Sequence, residues 1–125
     1  VPQASRTTVS NLLAALPQPE TGEDFQTLLD RGGVHIERIV SSPRPEPTRY
    51  DQAHDEWVLL LQGQATLDVA GESVRLGPGD HLLIPAHCPH RVLSTSDTPR
   101  CVWLAVHIHA AQPTPATPPA PPLIP

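Results

Sequence analysis

The stretch LGPGDHLLIPAHCPHRVLS (residues 76–94) decides the fold. Its first five residues form a turn with a legible mechanism: Pro78 fixes one torsion, and Gly77 and Gly79 supply positive φ. HLLIP (81–85) is a short apolar strand that stops at a proline, and HRVLS (90–94) is the next strand. His87 and His90 flank the turn between them. Strand, turn and strand in such quick succession point to antiparallel all-β structure.

The same pattern extends outward. EWVLLLQG (56–63) is a near-continuous apolar run, expected to be covered on both faces. QATLDVA (64–70) alternates Ala65, Leu67 and Val69 with polar residues, Gly71 and Glu72 turn, and SVRL (73–76) returns. Downstream, CVWLAVHIH (101–109) is a further strand, and upstream VHIERIV (34–40) reads as another. SSPRPEPTR (41–49) is a Pro-rich loop. Short strands at this spacing predict a barrel or sandwich. Before them, EDFQTLLD (23–30) predicts one short helix: Thr21 can cap it, Glu23 and Asp24 occupy its first turn, and Phe25, Leu28 and Leu29 share a face. Gly32 and Gly33 then end it. VSNLLAAL (9–16) reads as a short strand or a turn of helix.

Composition narrows the function. The chain has 125 residues, enough for one domain. Aromatic residues make up only 3%, so Leu, Val, Ile and Ala must fill the core. A net charge of -5, with no basic stripe along the chain, argues against nucleic acid and equally against a polybasic membrane contact. Two cysteines, Cys88 and Cys101, make no disulfide framework and are expected to be buried thiols. No apolar run reaches membrane-spanning length and no signal peptide is legible, so the expected location is cytoplasmic. The expected division is an N-terminal strand-and-helix segment (1–33), a β-barrel (34–109) and a disordered Pro-rich tail (110–125).

Seven histidines are many for this length. His54 precedes the strand that begins at Glu56, His87 and His90 flank a turn, and His107 and His109 end the last strand. Imidazole with carboxylate is a ligand set for divalent transition metals. No phosphate loop, nucleophile elbow, zincin helix or Cys-x-x-Cys pair accompanies them.

Glu56-Trp-Val-Leu-Leu-Leu-Gln-Gly63 and Gly79-Asp80…Pro85-Ala-His87-Cys-Pro-His90 resemble the two motifs of the cupin superfamily, over about residues 34–109. His87 stands where the second motif has Gly, and the His-x-His of the first motif falls near Tyr50 to Gln52, none of which is histidine. The resemblance implies an all-β, cupin-type double-stranded β-helix, a jelly-roll barrel. It also implies a divalent metal ion (Fe, Mn, Zn or Ni), a small-molecule ligand and a homodimer. Glu56 and His90 match motif ligands. His54, two residues from Glu56 on an extended strand, is a displaced candidate, and Gln52 could offer a carbonyl oxygen. Tyr50, His87, Trp103 and His107 are expected to line the pocket, His87 at its rim. Two functions fit: a metalloenzyme of dioxygenase, isomerase or lyase type acting on a small oxygenated molecule, or a non-catalytic ligand-binding module. A structural or storage role fits less well.

Overall fold

The computed structural model describes residues 7–110. The tail expectation therefore lies outside the described residues from position 111 onward. Eight strands follow in order: β1 (Glu23–Arg31), β2 (Val34–Ser41), β3 (Asp55–Gln62), β4 (Ala65–Val69), β5 (Glu72–Leu76), β6 (His81–Ile84), β7 (His90–Thr95) and β8 (Val102–Ile108). They form a five-stranded sheet, β1-β2-β8-β3-β6, and a three-stranded sheet, β5-β4-β7. All pairings are antiparallel, and together the two sheets make a jelly roll.

The expected helix over 23–30 is strand β1, paired with β2 from Glu23↔Ser41 to Arg31↔Val34. Two features of the chain disguise it. Gly32 (φ 58°) and Gly33 (φ 82°) are a hairpin turn, not a helix stop, since two consecutive positive φ values match the strands' twist. A register shift between Thr27 and Leu29 breaks the period of two, so that Phe25, Leu28 and Leu29 look helically spaced. Residues 9–16 hold turns and bends, neither strand nor helix.

Period-two burial builds the core. On β3, Glu56, Val58 and Leu60 face inward, and on β8 so do Trp103, Ala105 and His107. Register sets them side by side: Leu60↔Trp103, Val58↔Ala105, Glu56↔His107. Leu67, Leu76 and Ile84 complete the apolar filling. Cys101 is fully buried and donates its thiol to the Gln64 carbonyl at 3.1 Å, whereas Cys88 is only half-buried.

The motif glycine Gly63 is a physical requirement. Its φ is 94°, and a Cβ there would lie 2.8 Å from Cys101 Sγ. In the other motif, Asp80 Oδ2 accepts the Gly77 N–H at 2.7 Å and locks the turn. His87 takes φ 62° where the motif has glycine, a left-handed geometry that histidine tolerates at some cost. No helix among the described residues is long and apolar enough to cross a membrane.

Candidate functional site

One cavity opens between the sheets, with about 540 Å³ of space including its mouth. Its walls are mostly apolar, with Ile39, Val58, Leu67 and Trp103 among them; register sets Glu37, Glu56 and His107 toward one end, while Glu23 lies across from Ser41 toward the other. Tyr50 and Gln52 reach the cavity because their segment zips onto the turn before β7. Tyr50 N–H donates to His90 O (2.7 Å), His90 N–H to Tyr50 O (2.9 Å), and His87 N–H to Gln52 O (2.6 Å). Two residues apart on extended backbone, Tyr50 and Gln52 both line the cavity.

Glu56 and His90 meet there, with His90 Nε2 3.6 Å from Glu56 Oε1. The His90 Nδ1–H donates to the Cys88 carbonyl at 2.9 Å, which fixes the ring and leaves Nε2 facing Glu56. Tyr50 stacks on the same imidazole, centroids 5.7 Å apart. Gln52 Oε1 is buried and has no hydrogen-bond partner. Beside them, His107 Nε2–H donates to Glu37 Oε2 at 2.9 Å, and His107 Nδ1 lies 2.8 Å from His54 Nε2. With both ring nitrogens engaged, His107 has no lone pair left for another partner.

The cavity thus brings together Glu56, His90, Gln52, Tyr50, Trp103 and His107. It does not include His54 or His87. β3 begins only at Asp55, so the strand geometry that would aim His54 alongside Glu56 is not yet in force, and His54 turns to His107 and His109 instead. The His87 side chain is 74% exposed, with Nδ1 3.8 Å from Asp51 Oδ1. Sequence reading missed Glu23 and Glu37. Glu23 was hidden by the helical reading of β1. Glu37 stands two residues before buried Ile39, and that spacing was the available signal. Among the described residues, no three His, Cys, Asp or Glu side chains converge in a metal-holding group.

The cupin domain model matches residues 40–107, more than half of the chain. The chain belongs to the cupin domain family. This cupin is 42% identical to a Ralstonia eutropha JMP134 protein named as a candidate mannose-6-phosphate isomerase, with a TM-score of 0.74 over 83% of this chain and 100% of that one. It is 38% identical over 56 residues to quercetin 2,3-dioxygenase of Bacillus subtilis (strain 168), but spans only 17% of that curated relative's length. A cupin superfamily protein of Desulfitobacterium hafniense DCB-2, 21% identical, superposes with a TM-score of 0.71 over 84% of this chain and 94% of that one, a likeness of fold.

Charge among the polar groups of this cupin's cavity is unevenly held. Burial pushes the Glu23 carboxyl up against the Ser41 hydrogen bond, and repulsion from Glu56, Glu37 and Glu46 adds to the rise. Burial also pushes Glu37 up, but the hydrogen bond and charge of His107, then those of His35, outweigh it and hold the carboxyl low. The Glu37 bond raises His107 against the effect of burial. Burial depresses His90, yet the Glu56 contact and the Cys88 carbonyl reverse this, and the net direction is upward. Burial and then the charges of His109 and His107 lower His54. Burial followed by the nearby carboxylates raises the Tyr50 phenol.

Proposed function

We propose that this cupin holds a divalent metal ion on Gln52 Oε1, Glu56 and His90 Nε2, and uses it on a small oxygenated molecule in the cavity. The observation that carries this is the orphaned Gln52 Oε1, a buried acceptor with no partner beside a carboxylate and an oriented imidazole. Leaving such an oxygen unpaired costs about 1–3 kcal/mol, which a cation would offset. The Cys88 carbonyl on His90 Nδ1 supports the same reading, because metal-bound histidines are usually held this way from behind.

The residues fit such an ion as a weak, open site: one imidazole, one carboxylate and one amide oxygen. His54 and His87 do not enter the proposed ligand set. When bound, the ion supplies Lewis-acid polarisation of a ligand oxygen. The chain supplies the rest. Trp103 and Val58 keep water from the inner wall, Glu56 orients His90, and the Glu37–His107 pair holds a proton at the cavity edge. Iron, manganese, zinc and nickel all suit the donor set. The dioxygenase and isomerase names of the relatives support small-molecule chemistry without choosing between them.

A second reading, a metal-free ligand-binding module, draws on the presence of only two strong donors and the absence of a three-residue metal group among the described residues. Elemental analysis of untagged protein decides. The expected result is near-stoichiometric iron, manganese, nickel or zinc, lost in His90→Ala and in Glu56→Gln with the fold retained by circular dichroism. Wild-type protein that binds no divalent ion on titration removes the metal reading and leaves the second.

A further inference from the structure

Three of the chain's four aromatic side chains, Phe25, Tyr50 and Trp103, line this single cavity. Trp57 is the exception and lies by His81, off the cavity, with ring centroids 5.5 Å apart. In a chain so poor in aromatics, that concentration sets the shape of what the cavity can hold. Aromatic walls favour flat rings through stacked and edge-on contacts.

The polar groups set its charge. Glu23, Glu37, Glu56 and Gln52 all present oxygen acceptors to the cavity. The chain contains no lysine. Arg91 is the only arginine among the lining residues, and its guanidinium sits beside Asp68 of the neighbouring strand, Nε to Oδ2 3.9 Å. His90 faces Glu56, and His107 is bonded to Glu37. Arg91 Nε is buried without a hydrogen-bond partner, so among the described residues this guanidinium is the one cationic fork on the wall, set against three glutamates where a phosphate or carboxylate requires a cationic surround. Even with a divalent ion on Glu56, an anionic ligand would still meet Glu23 and Glu37.

We infer that the ligand of this cavity is an uncharged hydroxylated aromatic ring, its hydroxyls donating to the carboxyl and amide oxygens of the wall and its face lying on the aromatic side chains, and not a phosphorylated sugar. The inference rests on the proposal that this cavity is the working site, and it does not depend on the metal.

Calorimetric titration of the full chain tests it, first after chelator treatment and then after reloading with the divalent ion. The probes are catechol, cis-1,2-cyclohexanediol and glucose 6-phosphate. Catechol is expected to bind about tenfold more tightly than the saturated diol in both metal states, with no measurable binding of the sugar phosphate. Trp103 is buried and bonded to Ser41, so its removal risks unfolding. Phe25→Leu, on the exposed edge strand, and Tyr50→Leu are the working variants. Each is expected to weaken catechol by about three- to tenfold and to leave the diol unchanged.

Equal affinity for catechol and the diol, no catechol binding in either state, or tight binding of the sugar phosphate overturns the inference. The two proposals fail separately. Catechol selectivity in a protein that takes up no ion removes the metal and keeps the ring. Stoichiometric metal without selectivity does the reverse.

Discussion

The two ends of one sheet face make opposite use of the same strands. Toward Leu60, Gly63 and Cys101 the barrel is sealed: Leu60, Val102 and Cys101 are fully buried, and Gly63 leaves no space for even a methyl group. A few residues along β2, β3 and β8, the inward positions become Glu37, Glu56 and His107, and the filling gives way to a cavity. One end converts burial into stability. The other gives up apolar contact for polar groups that satisfy one another only partly, as Gln52 Oε1 shows. A domain this small can leave one end unsealed only because the other is packed to its limit.

The sharpest way to break that contrast is to strike the sealed end. Gly63→Ala places a Cβ 2.8 Å from Cys101 Sγ at φ 94°. Left-handed strain and overpacking should together cost about 3 kcal/mol or more. The measurement is the denaturant midpoint at constant slope. A loss below about 1 kcal/mol would show that this end has slack, and the contrast would fail.

At the open end the sign should reverse. Gln52→Leu replaces an unsatisfied acceptor with an apolar group of similar length. The metal-free protein should gain about 1 kcal/mol, while affinity for a divalent ion falls at least about tenfold. A variant that loses stability and keeps its metal affinity would mean that Gln52 is structural and the ion, if bound, uses other atoms.

The two ends were also unequally legible. From Val34 onward, alternation and turn residues give the strands almost in place, because packing there keeps a period of two. As candidates, Glu56 and His90 come from the resemblance to the two cupin motifs, in which Gly63 closes the strand after Glu56 and Gly79 sits in the turn before β6. Counting back from Glu56 also reaches Tyr50 and Gln52. β1 escaped because a bulge and a Gly-Gly hairpin imitate a capped helix, and Glu23 went with it. His54 stands outside the cavity lining for a related reason. Two-residue spacing aims side chains together only inside a strand, and β3 starts one residue too late.

The Glu37–His107 pair gives the open end a pH signature. Glu37 is held low, so its contribution is present above the ordinary carboxylate range and is lost as pH falls through its folded pKa. His107 is raised, so its contribution is complete below about pH 6.5 and is lost as pH rises through its folded pKa. Subtracting the stability of Glu37→Gln from that of wild type should therefore give a hump of about 1–2 kcal/mol between roughly pH 5 and 6.5, falling off on both sides. A difference that keeps growing above pH 8 would mean that His107 is not the partner.

The smallest effect sharpens the boundary between cavity and rim. His87 sits at φ 62° with its ring in solvent, and its Nδ1 is 3.8 Å from Asp51 Oδ1. An exposed contact of that length is worth about 0–1 kcal/mol. Glycine removes the left-handed strain, but it releases chain entropy of about 0.5–1 kcal/mol in the unfolded state. These terms nearly cancel, so His87→Gly should move stability by no more than about 0.5 kcal/mol. The part of His87 that matters to the site is its backbone, whose N–H donates to Gln52 O at 2.6 Å, and glycine keeps that bond. Metal content and catechol affinity should then match wild type. If either drops severalfold, the His87 imidazole swings inward during binding, and the rim belongs to the site after all.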